Sequence, residues 1–155
     1  MKAQVDVIFL IVIAFALIIA LFTVDIVWNG LTSNSAFQAL TNATPTGKLA
    51  VKSTTNAISL LNNSIIVLFF FGAFVSIISA AFTDASPVFV LPAIIVLPIE
   101  IIFSFIFHDI FLQVISNSSF AAIAAQYNYI VIFMQYLPVI SFIISIIIIM
   151  FTFTK

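Results

Sequence analysis

The sequence predicts an all-α integral membrane protein with four transmembrane helices, the third of them Pro-kinked, and a polar loop between the first two. Three observations predict it. The 155 residues are 65% hydrophobic and only 6% charged, whereas a soluble domain averages about 25% charged residues. Mean hydropathy is +1.39, so most of the chain's surroundings must be lipid. Apolar runs of membrane-crossing length recur along the chain, each set off by polar residues rich in Asn, Ser and Thr.

The first span is read at about residues 7–28. Val7 to Val24 is apolar except for Thr23 and is bracketed by Asp6 and Asp25. Eighteen helical residues rise about 27 Å, close to the roughly 30 Å hydrocarbon core. Trp28, just beyond, suits the interfacial belt. The run is longer than the apolar core of a cleaved signal peptide, and Leu21-Phe22-Thr23 is a poor cleavage site, so an uncleaved anchor is expected.

Residues 29–63 form the polar loop, with turn signals at Asn29-Gly30 and Thr44-Pro45-Thr46-Gly47. The next helix is expected to begin in water near Lys48 and run inward. The second span, about 64–82, carries Gly72, Ser76 and Ala80 at steps of four. Small residues at that spacing let a neighbouring backbone approach closely.

Ser86-Pro87 makes a helix start after the short connection Thr83–Ser86. The third span is read at about 87–112, in either of two registers. Pro92 and Pro98 each remove a backbone hydrogen bond and predict a kink. A second polar connection follows, with a short interfacial helix expected over Phe120–Ala125. The fourth span is read at about 129–153, with Tyr127, Tyr129 and Tyr136 near its start and Ser141 and Ser145 one turn apart on a common face. Four spans place both termini on one side of the membrane, expected to be cytoplasmic or interior. Asn42 and Asn117 head Asn-x-Ser/Thr sequons on the opposite side and are candidate glycosylation sites.

The candidate chemistry lies on the third span. Glu100, Ser104 and His108 are spaced by four and climb one side of the helix, with Asp109 adjacent. Glu100 lies at hydrocarbon depth in either register. A charged carboxylate there costs roughly 2.5–3.5 kcal/mol on insertion scales. It is therefore expected either as a neutral acid facing other helices or as a group exposed to a water-filled cavity. Ser76, Ser79, Gln135 and Ser141, or a second copy of the chain, are its candidate hydrogen-bond partners. One functional reading is a proton or cation relay from Glu100 through His108 to Asp109. The other is a polar clamp that fixes helix packing or oligomer register.

Composition restricts the remaining classes. Lys2, Lys48, Lys52 and Lys155 are the only basic side chains besides His108, and the net charge is −1. No basic stripe suits nucleic acid. The chain has no cysteine and a single histidine, which removes thiolate metal sites, disulfides and a multi-histidine centre. Gly30, Gly47 and Gly72 form no phosphate loop, and no oxyanion donors accompany Ser104. No cofactor, no metal and no enzymatic activity are expected. The favoured role is a structural or accessory subunit of a larger membrane assembly, with the lipid bilayer and other membrane subunits or copies of itself as partners. A small respiratory-type subunit is one setting. The other is a virion membrane, because the Ile/Phe-rich, charge-poor composition is similar to that of small hydrophobic virion proteins of archaeal and other membrane-containing viruses. The alternatives are a small proton or cation channel using Glu100 and His108, and a holin-like permeabilising protein.

Lys2-Ala3-Gln4 ahead of an apolar helix resembles the processing site of archaeal pilin-like proteins. The resemblance covers those few residues. Asp6 follows sooner than that pattern has it, and a pilin needs no further spans.

Overall fold

The computed structural model describes residues 2–82 and 90–153. The connection Thr83–Ser86 and the helix start at Ser86-Pro87 lie outside the described residues. Every element described is a helix: α1 (Lys2–Ser33), α2 (Ser35–Asn42), α3 (Pro45–Phe82), α4 (Val90–Ser116), α5 (Ser118–Ala124), α6 (Asn128–Gln135) and α7 (Leu137–Phe153). Three helices are long and apolar enough to cross a membrane, and a fourth span is made if α6 and α7 count as one broken helix.

The long helices are apolar nearly all round, so which face turns inward is decided by packing rather than by amphipathicity. On α1 the buried residues are Val7, Ile11, Ala14, Ile18, Leu21, Phe22 and Asp25. Apart from Phe22 they alternate steps of four and three, the 3.5-residue spacing of helices packed at shallow crossing angles. The inward line of α3, through Ile58, Ile65, Phe69, Ala73, Ser76 and Ala80, keeps a similar spacing. Outward-facing residues include Phe9, Phe71, Phe74, Ile102 and Met150, all more than half exposed. A surface of this kind suits contact with lipid.

Ring contacts fix the relative directions of the helices. Phe15 meets Phe107 at 4.7 Å and Phe22 meets Phe111 at 6.0 Å between ring centroids, so α1 and α4 run parallel. Trp28 Nε1 donates to Thr55 Oγ1 near one end of α1, and Gly72 lies against Leu10 near the other, so α3 runs antiparallel. Phe22 also stacks on Tyr127, just before α6. The α6–α7 pair therefore starts level with Phe111 and descends along α4.

Two features depart from the sequence reading. The helix expected from near Lys48 begins at Pro45, but the residues before it, 29–44, are mostly helical as well rather than a loop. Asn34 caps α2 by accepting from the backbone of Ala36 and Phe37, and Thr44 Oγ1 accepts from Gly47 N to start α3. Proline at the first position of α3 has no N–H to lose, so the chain runs as one helix from Pro45 through the apolar segment. The second departure is a bend. α4 stays helical through Pro98, and the fourth span turns by 59° between α6 and α7. That bend sits at Tyr136, two residues before Pro138, which cannot donate back into the preceding turn.

Candidate functional site: a buried Glu–Ser ladder

Glu100 is entirely enclosed, at 0% exposure, as are Ser104 on the same helix and Ser141 and Ser145 on α7. Ser145 Oγ donates to Glu100 Oε2 across the α4–α7 contact. Both pairs are spaced by four residues and the two helices are antiparallel, so the register that joins Glu100 to Ser145 sets Ser104 level with Ser141. The four residues are the rungs of a short polar ladder. Ser104 also donates to Ile101 O at 2.8 Å, and Ser141 to Pro138 O at 3.1 Å. These two hydroxyls are satisfied within their own helices, and the Glu100–Ser145 bond is the interhelical link.

The other carboxylate oxygen, Glu100 Oε1, is buried with no partner among the described residues. No cation faces the group among those residues. An unpaired buried carboxylate is far more costly than a neutral carboxylic acid hydrogen-bonded to a hydroxyl. The arrangement therefore suits a neutral Glu100.

The rest of the predicted stripe separates from the ladder. Beyond Ser104 the inward line of α4 passes through Phe107 and Phe111, not His108. A helix turns 400° in four residues, so steps of four drift off a straight face by about 40° each. By His108 the stripe has left the interface. His108 Nδ1 instead faces the Asp109 carboxylate at 3.1 Å, on side chains 20% and 68% exposed. Glu100 is thus not brought together with His108 and Asp109: it bonds to Ser145, and next to His108 on the inward side stands Phe107, whose ring packs on Phe15. Gln135 is exposed and does not reach Glu100. Of the expected partners, Ser141 is a rung and Ser76 is buried on α3.

The small-residue line of α3 sits on α1. A Cβ added at Gly72 would lie 2.5 Å from Leu10 Cδ2, and Ser76 and Ala80 are buried beyond it. Asn117 caps α5, its Oδ1 accepting from Ser119 N at 3.1 Å. Asn42 is exposed at the end of α2.

A second buried acid escaped the sequence reading, which used Asp25 only to bracket the first span. Asp25 is 5% exposed and its Oδ2 has no partner among the described residues. It faces Tyr127, itself buried in the turn between α5 and α6. Burial, then the Asp25 charge, then a hydrogen bond to that carboxylate push the Tyr127 phenol up to about 12. The available signal was positional, since Asp25 continues the inward line Ile11, Ala14, Ile18, Leu21.

Among the described residues, no group of three or more His, Cys, Asp or Glu could hold a metal ion. No protein-family model, curated protein or solved structure matches the chain.

Proposed function

We propose that the protein is a non-enzymatic structural or accessory subunit of a membrane assembly, and that Glu100 is a clamp holding α4 against α7. The observation that carries this reading is the enclosure of the whole Glu–Ser ladder between two spans, with Glu100 bonded to Ser145. A polar bond inside an apolar bundle has few competing partners and fixes one register of two otherwise featureless helices. The apolar outer surface suits lipid and other membrane subunits or further copies of the chain, in a virion or a cellular membrane.

A second reading, a small proton or cation channel, is favoured by one observation: the unpartnered Glu100 Oε1. Purified protein in liposomes separates the two. On the clamp reading, an imposed pH gradient decays at the same rate with wild type, with Glu100→Gln and with empty liposomes. Proton flux that wild type carries and Glu100→Gln abolishes would replace the clamp by the channel.

A further inference from the structure

The extramembrane corner where α1, α2 and α3 meet encloses a cleft of about 420 Å³, lined by Thr32, Phe37, Gln38, Thr41, Asn42, Lys48, Val51 and Lys52. That volume falls in the roughly 300–1,000 Å³ range of small-molecule sites. The corner is built rather than loose. Gln38 Nε2 donates to Thr32 O at 2.7 Å, tying α2 back to α1. The first turn of α3 presses on the end of α2 so closely that a Cβ on Gly47 would lie 2.3 Å from the Thr41 carbonyl oxygen. Phe37, in the lining, packs edge-on against Trp28 at 6.2 Å.

The charge in this cleft is uncompensated. Lys48 and Lys52 are one helical turn apart and both line it. Residues 26–82 contain no Asp or Glu, and neither lysine has an ion-pair partner among the described residues. The position is also telling. Thr32 is one turn beyond Trp28, whose ring suits the membrane interface. Two ammonium groups beside amides and hydroxyls at that level match the phosphate layer of the bilayer.

We propose that this cleft is a binding site for a phosphate-bearing anion, either the headgroup of an acidic phospholipid or free phosphate. Lys48 and Lys52 supply the charge, and the Asn42 side chain, also in the lining, offers an amide donor; the Thr32 and Thr41 hydroxyls are already donated to Trp28 O and Phe37 O. The proposal is independent of the Glu100 clamp.

Trp28 is the only tryptophan and touches the lining through Phe37, so its fluorescence reports on the cleft. The full chain in neutral phosphatidylcholine nanodiscs would be titrated with short-chain phosphatidylglycerol and, separately, with inorganic phosphate. A saturable change is expected with at least one, and Lys48→Gln/Lys52→Gln should weaken it by about tenfold or more, given the strength of charged hydrogen bonds. Lys2→Gln, at the far end of α1, should leave it unaltered. A response to phosphatidylglycerol alone assigns the lipid source, and a response to inorganic phosphate as well assigns the free anion. No saturable change with either, an equal response in the double variant, or an equal loss in Lys2→Gln would overturn the proposal.

Discussion

The bundle buries two carboxylates at different levels and treats them differently. Glu100 meets a hydroxyl from the helix running beside it, within the apolar length of both helices. Asp25 meets a phenol from a turn, one helical turn short of the interfacial Trp28. Along α4, Phe111 marks the level of Phe22 and so lies near Asp25; Glu100 is eleven residues, about 16 Å, away. The aromatic layer of Phe15, Phe22, Phe107 and Phe111 fills the space between. The comparison teaches that depth decides the partner. In the apolar interior an acid can be satisfied only by what a packed helix brings, whereas near the interface a connecting turn can reach in and supply a donor.

Breaking each site should expose that difference. The largest effect belongs to the ladder. Glu100→Ala removes the interhelical bond and leaves a cavity, and should cost about 2–4 kcal/mol. Ser145→Ala removes the donor alone and should cost about 1–2 kcal/mol. Glu100→Gln, which can still pair with the Ser145 hydroxyl, should stay near wild type. Reversible unfolding in detergent micelles reads all three, and equal losses for Glu100→Gln and Glu100→Ala would show that hydrogen bonding to Ser145 is irrelevant.

At the other site the effect is set by pH. The Tyr127 phenol is raised from 10.0 to about 12 in the folded state. Folding therefore favours the protonated phenol. The associated stability is complete below about pH 10, where the phenol is protonated in both states, and is lost as pH rises through about 12. Phenolate absorbance should show one tyrosine titrating late. In Asp25→Asn it should titrate earlier, though only part of the way back, because burial remains the larger cause. A Tyr127 titration unchanged by Asp25→Asn would show that the carboxylate does not act on the phenol.

The His108–Asp109 contact should matter least. Asp109→Asn is expected to change stability by less than about 1 kcal/mol, since the Asp109 side chain is 68% exposed and its interactions are screened by water. A larger loss in the same unfolding assay would show that the pair is sheltered by something beyond this chain.

Much of this was legible in the sequence. Glu100 lies well inside an apolar run, which pointed to packed helices around it, and it is fully buried; Ser141 and Ser145 were visibly on one face of theirs. The pairing of Glu100 with Ser145 was not legible, because it depends on which two spans touch and at what offset. Equal spacings of four on two antiparallel helices make the match recognisable once one rung is known. His108 was assigned to the stripe because steps of four look straight over one turn and drift off over two. Asp25 was missed because a charge at the end of an apolar run reads as a boundary, and only its place in the 3.5-residue inward line of α1 marks it as buried. The start of α3 was legible, since a helix was expected from near Lys48 and begins at Pro45, but the helical character of residues 35–42 was hidden by their polarity. Lys48, Asn56 and their neighbours are tolerated in a helix when one side of it faces water.

The most direct test of the clamp is a double-mutant cycle on Glu100 and Ser145, with Glu100→Ala, Ser145→Ala and the double variant unfolded under the same conditions. A clamp predicts that the double variant loses less than the sum of the singles, with a coupling of about 1–2 kcal/mol. Additive losses, within about 0.5 kcal/mol, would contradict it.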